Sequence, residues 1–419
     1  MNDMCLKLDV IEIKDVRFGD SNSIENGILT IDKEGLIEYA KDPLFTDLDF
    51  EIARPGESVR IIPVKDVIEP RIKEDGATSF PGIIGDFEGI GEGVTKVLRG
   101  CAVVSTGTIV GFQEGLIDMT GPGADYSRYS KLNNIVLIAN VEEGIRPAEH
   151  ETAIREAGLK AAHYIARIAI GVDADYTEEY ELKEVDPKLP RVGILYMTMA
   201  QGLLHDNYVY GIDAKRLHPI LLHPNEILDG VMVNGCCVVA GDKYTTYDHQ
   251  NSASVLEFYK RHGIDFNFVG VIVVPTYPGL ADKRRCCMSA VRMARLLNLD
   301  GVGIPEEGGG NPEADLMMMC RDCEANGIKT VLSLGPDGVE EPVADTDPAA
   351  DAVINVGDCN MFVTLPPMEK ILGDQNQVVR MSGGSEDSVQ PDGGVRVTLS
   401  IIMGSVNGQG VHKLCSYVY

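Results

Sequence analysis

A chain of 419 residues with 64 acidic against 37 basic side chains, a formal net charge of −27, repels a phosphate backbone, and no local basic patch offsets that; nucleic acid is excluded as a partner. Its 44% hydrophobic and 24% charged residues, with 45 Gly and 21 Pro scattered rather than run together, exclude disordered and fibrous readings and leave room for two domains. No apolar run approaches the ~20 residues that span a bilayer, so no membrane is expected. The N-terminus MNDMCLKLDVIEIK lacks a secretory pattern, and ten dispersed cysteines read as reduced thiols; a cytoplasmic protein is the expectation.

In chain order, residues 1–130 predict a β-rich N-terminal domain. Alternating segments at 6–13, 59–64, 102–109 and 111–117 are punctuated by turns such as Arg54-Pro55-Gly56 and Gly121-Pro122-Gly123. Residues 131–419 predict an α/β domain. An apolar strand at 135–141 is followed by a helix at 147–170, started by Pro147 and carrying Ile154, Ala157, Ala161, Ile165 and Ile168 at helical spacing. The acidic stretch 173–187 predicts a linker or exposed loop. Beyond it, strands at 192–197, 268–274, 301–304, 330–334 and 352–356 alternate with helices at 254–262, 281–297 and 312–325. Apolar strands joined by helices imply a mostly parallel sheet covered by helices.

The segment Asn234-Gly235-Cys236-Cys237-Val238-Val239-Ala240-Gly241-Asp242-Lys243-Tyr244-Thr245-Thr246 is the most informative. Vicinal cysteines are more often packed than reactive, and the second pair, Cys286-Cys287, lies on the apolar face of a predicted helix. Glu306-Glu307-Gly308-Gly309-Gly310-Asn311-Pro312 is a Gly-rich turn entering a helix, with Asn311 as the expected N-cap. Its Gly309, Gly310 and Asn311 are candidates for holding a substrate anion, although most helix N-termini carry no ligand. The turn fits neither a dinucleotide fingerprint nor a P-loop. Cys320-x-x-Cys323, without a second pair, reads as a buried helical face rather than a zinc site, and no metal is expected. His205, His218, His223 and His249 read as structural more often than catalytic.

The core Cys-Val-x-Ala-x-Asp-Lys-x-Thr-Thr-Tyr that begins at Cys237 resembles the processing site of the glycine/sarcosine/betaine reductase component B proproteins, relatives of the D-proline reductase proprotein. Further stretches match in order: residues 53–61 and 64–71, Gly111-Phe112-Gln113-Glu114-Gly115, residues 121–126, Gln201 to Asp206, Tyr208 to Gly211, Glu306-Glu307-Gly308, and Leu365-Pro366-Pro367-Met368. The resemblance covers nearly the whole chain.

It implies a substrate-binding subunit that cuts itself before Cys237 into fragments 1–236 and 237–419 and carries a covalent pyruvoyl group derived from that cysteine. Cys236 and Cys237 are then the catalytic candidates, with Asp242, Lys243, Thr245, Thr246 and His249 as processing-site neighbours. The thiol of Cys237 would add to the carbonyl of Cys236, shift the acyl group to sulfur and leave by β-elimination; a thiol suits this as both nucleophile and leaving group. Cys236 stands where the family pattern has asparagine. The implied activity is reductive deamination of an amino acid or amine such as glycine or sarcosine. The implied partners are a selenoprotein or thiol subunit of component B and a selenoprotein A-like carrier, within a hetero-oligomer. The competing expectation is the same fold kept uncut, as a non-catalytic scaffold or binding subunit.

Overall fold

Short, largely buried strands build the first half of the molecule. The computed structural model describes residues 4–235, 238–335, 347–409 and 415–416. Its strands are β1 (Cys5–Glu12), β2 (Phe45–Ala53), β3 (Val59–Ile68), β4 (Arg71–Lys73), β5 (Gly93–Arg99), β6 (Cys101–Thr106), β7 (Gly115–Asp118) and β8 (Asn133–Val141). Helix α1 (Pro147–Ala166) and strand β9 (Tyr176–Glu181) follow. One sheet has the order β9-β1-β5-β4 and a second the order β7-β3-β6-β8-β2. Ile154, Ala157, Ala161, Ala162 and Ile165 of α1 share a core with Ile68, Leu98, Val103, Ile135 and Leu137, so α1 covers these sheets with its predicted apolar face.

Every residue of β3 is buried, Arg60, Lys65 and Asp66 included. Such charges persist inside only when paired and hydrogen-bonded. Arg60 donates to both carboxylate oxygens of Asp118, at 2.6 and 2.8 Å, and to Gln375 Oε1 and the Pro366 carbonyl. Lys65 and Asp66 turn to the second half.

That half is a twisted sheet of β10 (Arg191–Met199), β11 (Ile220–Leu222), β12 (Asn267–Thr276), β13 (Gly301–Pro305), β14 (Lys329–Leu334) and β15 (Ala352–Asn355). Helices α2 (Thr246–Gln250), α3 (Ala253–Arg261), α4 (Leu280–Leu296) and α5 (Glu313–Ala325) accompany it. The spatial order is β11-β12-β10-β13-β14-β15, closed by Cys415–Ser416 at the far edge, and the interior pairs are parallel. Cys286, Cys287, Ala290 and Ala294 of α4 pack with Leu316, Met319, Cys320 and Cys323 of α5 against one face. Both vicinal Cys286-Cys287 and the Cys320-x-x-Cys323 pair are therefore core. The mostly parallel, helix-covered sheet stands as expected.

Three expectations change. The strand at 111–117 shrinks to Gly115–Asp118, because the buried Glu114 carboxylate gathers the backbone N–H groups of Ile109, Val110 and Gly111 into a loop. The acidic stretch predicted as a loop contains β9, paired antiparallel with β1, because Glu178 and Glu179 find Arg99 and Lys7. Strand pairing also runs across residue 130: β8 pairs with β6 and β2, β9 with β1, and the later strand Lys370–Gly373 with β3. We propose to draw the division after Glu181 for that reason, with 370–373 returning to the first unit. Among the described residues no helix is long and apolar enough to cross a membrane.

Candidate active site

The five parallel strands β10, β12, β13, β14 and β15, numbered by sequence, lie in the order 2-1-3-4-5. In open sheets of this kind ligands bind outside the carboxyl ends of the strands where that order reverses, here between β10 and β13. Their ladder pairs Val192–Ile194 with Gly301–Gly303 and stops, so the carboxyl ends diverge. Glu307, just past β13, bridges the opening: its Oε2 accepts the Met199 N–H at 2.8 Å and the Asn207 side-chain amide at 2.7 Å.

The segment singled out in the sequence enters this crevice. Met232 and Val233 pair with Val209 and Tyr208, which delivers Asn234. The Asn234 N–H goes to Thr246 Oγ1 at 3.0 Å, and its side-chain amide to the Tyr244 carbonyl at 3.0 Å and to Asn207 Oδ1 at 3.2 Å. Its carbonyl accepts the ammonium of Lys65 at 2.8 Å. Gly235 follows against the Asp206 carbonyl so tightly that a Cβ there would lie 1.8 Å from the oxygen. Room, rather than torsion, demands glycine. On the downstream side Lys243 Nζ donates to the carbonyls of Gln113 at 2.6 Å and Lys65 at 3.2 Å, while Asp66 accepts both the N–H and the hydroxyl of Thr246. Thus β3, through Lys65 and Asp66, clamps the segment at both ends. Cys236 and Cys237 lie between these clamps and outside the described residues.

Burial sets the electrostatics. It pushes the Glu307 carboxyl from its ordinary 4.5 up to about 7, against the opposing pull of its hydrogen bonds from Asn207, Met199 and Tyr244. Asp206 rises to about 6, also through burial and despite Lys215 at 3.4 Å. Burial raises Asp66 as well, with Lys65 and Thr246 acting in the other direction. A carboxyl that titrates near 7 inside a closed crevice is suited to proton transfer.

Of the processing-site neighbours, Lys243 and Thr246 touch the clamp directly. Asp242 is buried and accepts the Cys359 thiol at 3.1 Å. Thr245 caps α2 in a reciprocal pair with Asp248. His249 points elsewhere, its Nδ1 on the Tyr196 hydroxyl at 2.9 Å, and burial pulls the imidazole down to about 3. Gly308, with φ of +80°, packs against Met199 and Val238, which seats the Gly-rich turn on the segment. Gly309 is half-buried, whereas Gly310 and Asn311 are exposed. Asn311 is not the N-cap; Pro312 is, and the Gly310 N–H is taken by Glu313 reaching back at 2.7 Å.

Sequence reasoning did not assign roles to Lys65, Asp66, Gln113, Asn207 or Glu307. All but Asn207 sit inside the quoted motifs, and their common signal was position, not residue type. An apolar groove of about 710 Å³ beside α3, lined by Leu256, Phe258, Phe266 and Val331, takes no residue of 234–246 into its wall, and its Lys260 and Lys329 pair with Glu257 and Asp351.

The fold defines a doubly wound sheet whose switch point is entered by a segment of its own chain. The chain belongs to the glycine/sarcosine/betaine reductase component B subunits, whose family model matches residues 4–416. It is 45% identical to the glycine reductase complex component B subunits alpha and beta of Acetoanaerobium sticklandii, over 99% of this chain and all of that one. It is 42% identical to the sarcosine reductase complex component B subunit alpha of Peptoclostridium acidaminophilum, again over 99% of this chain and 100% of the relative. A more distant match, 25% identical over 76% of this chain and 53% of the relative, is the D-proline reductase proprotein PrdA of Acetoanaerobium sticklandii. No solved structure gives a significant match. The chain is accordingly a subunit of a multi-protein reductase.

The raised Glu307 predicts a stability signature. Between its ordinary 4.5 and about 7 the folded state holds a proton that the unfolded chain releases, so stability falls as pH rises through that window. The interval corresponds to about 3 kcal/mol at most. Glu307→Gln is expected to flatten this fall in a series of thermal melts between about pH 5 and pH 7.5, leaving the shares of the other carboxyls that burial raises, Asp206 and Asp315 among them.

Proposed function

We propose that the chain is the amine- or amino-acid-binding subunit of a glycine reductase-type complex, and that it matures by cutting itself before Cys237 into 1–236 and 237–419, leaving a pyruvoyl group at the new N-terminus. The observation that carries this reading is the clamp: Lys65 on the Asn234 carbonyl, Gly235 wedged on the Asp206 carbonyl, and Lys243 and Asp66 on the far side fix the backbone on both sides of the bond to be cut. The relatives' names add support, since one is a single chain described as subunits alpha and beta and another is a proprotein.

The residues present fit such a group. Lys65, Asn207 and Glu307 converge on the segment, one as an ammonium donor and one as a carboxyl titrating near 7, while Lys243 ties the segment back to the Gln113 and Lys65 carbonyls. The group supplies an electrophilic carbonyl for the nitrogen of a substrate amine. Glu307 holds or releases one proton at its carboxyl oxygens at neutral pH, within reach of the segment. Met199, Val238 and Val239 form a small apolar cluster that keeps water from that side. A primary or secondary amine suits this chemistry; a quaternary amine has no N–H to give up. Glycine or sarcosine is therefore the proposed class of substrate, and a thiol or selenol on a partner subunit, with a selenoprotein carrier, the proposed reductant.

Intact mass under denaturing conditions tests the cut. Two fragments meeting at Cys236/Cys237 are expected, the downstream one blocked to Edman sequencing. A single species near 45.4 kDa from active complex would instead favour an uncut scaffold.

A further inference from the structure

The bond to be cut does not lie where the fold divides. β10 and β11 are upstream of it and β12 to β15 downstream, yet the sheet order is β11-β12-β10-β13-β14-β15, so strands of the two products alternate across its first four places. β10 runs parallel to β12 from Arg191–Asn267 to Met199–Thr276 on one side, and to β13 at Val192–Ile194 on the other. Among the described residues it pairs with no strand of its own product. Its Ile194, Leu195, Tyr196 and Met197 are fully buried. Taken from this place, the strand would leave its backbone N–H and C=O groups and these side chains unmatched, and would open a gap one strand wide between β12 and β13.

The exchange runs both ways. Downstream Lys370–Gly373 extends the sheet of the first half, pairing with Val59–Ile62 of β3. Arg60, fully buried in that stretch, reaches Gln375 Oε1 at 2.7 Å and the Pro366 carbonyl at 3.1 Å. Gln250 of α2 holds both backbone groups of Glu69, accepting its N–H and donating to its carbonyl, each at 3.0 Å. The crevice itself is shared: Glu307 is downstream, and the Met199 N–H and Asn207 amide that hold it are upstream.

We infer that the two products of the cut are interlocked by exchanged strands, so that they neither separate nor trade partners while folded and neither owns the site alone; the inference rests on the self-cleavage reading. To part, they would have to draw β10 from between β12 and β13 and Lys370–Gly373 from β3, which amounts to unfolding both halves. Before the cut, these strands meet within one chain. After it they must find each other from two chains, and the high effective concentration that the linking peptide supplied is lost. The cut is then a one-way step: the folded pair persists, but once unfolded it regains its structure far less readily than the whole chain does.

The test mixes cut protein made from the full chain with the same protein grown in heavy nitrogen, and follows the intact pairs by native mass spectrometry well below the melting temperature. No pair of mixed label is expected over days. In refolding from guanidinium chloride, recovery of the cut protein is expected to slow in proportion to dilution, about tenfold per decade of concentration. Cys237→Ala, still one chain, is expected to recover at a rate that dilution does not change. Mixed-label pairs appearing within hours in native buffer, or recovery of the cut protein that ignores dilution, would overturn the interlock. A wild-type chain of a single, uncut mass would overturn the self-cleavage reading instead, and the interlocked pair with it.

Discussion

Cys237→Ala is expected to leave a single uncut chain, because no thiol remains one bond from the Cys236 carbonyl. Cys237→Ser should show at most a trace of cutting, since a hydroxyl is the weaker nucleophile and the poorer leaving group. Cys236→Ala should keep at least about a tenth of the wild-type rate, because only the carbonyl of residue 236 takes part; a tenfold loss corresponds to about 1.4 kcal/mol of barrier. The measurement is the fraction cut against time on a denaturing gel. Complete arrest in Cys236→Ala alone would transfer the nucleophile to residue 236.

Gly235→Ala carries the second large effect. The added methyl would lie 1.8 Å from the Asp206 oxygen and 2.7 Å from its carbonyl carbon, both backbone atoms that cannot rotate aside. Either the 205–207 loop or the segment must move. Overpacking of this kind costs about 1–3 kcal/mol and often more against backbone. A misplacement of about 1 Å at a reacting bond costs about a hundredfold in rate. The expected result is a folded chain, melting several degrees lower, that is cut about a hundredfold more slowly. Wild-type cutting in this variant would show that the clamp does not govern the reaction.

The parallel strands of the second half were legible in the sequence because each is a short apolar run, whereas the antiparallel edge strand Ile220–Leu222 was not read. The predicted helix at 281–297 is found as Leu280–Leu296 and the strand at 268–274 as Asn267–Thr276. β2, whose Leu48, Phe50 and Ile52 alternate with Asp47, Asp49 and Glu51, went unread, and so did β9, because the partners of its Glu178 and Glu179, Arg99 and Lys7, lie far away in the chain. The site divides in the same way. Cys236 and Cys237 stand out locally, through a glycine, a thiol pair and a recognisable motif. Lys65 reaches Asn234 across 169 residues and Asp66 reaches Thr246 across 180, so only the folded arrangement of β3 beside the crevice shows what they hold. Glu307 was quoted as part of a turn, and its burial, which makes it chemically useful, depends on Met199, Asn207 and Tyr244 closing around it.

The central claim is that this chain turns one of its own cysteines into a ketone. Its most direct test is the mass of the N-terminal peptide of the 237–419 fragment after treatment of the active complex with a carbonyl-trapping hydrazine. The account predicts a peptide that lacks the cysteine sulfur and the α-amino nitrogen and gains one hydrazone. An ordinary cysteinyl residue 237 that reacts with a thiol reagent and not with the hydrazine, in protein that is reducing substrate, would contradict it.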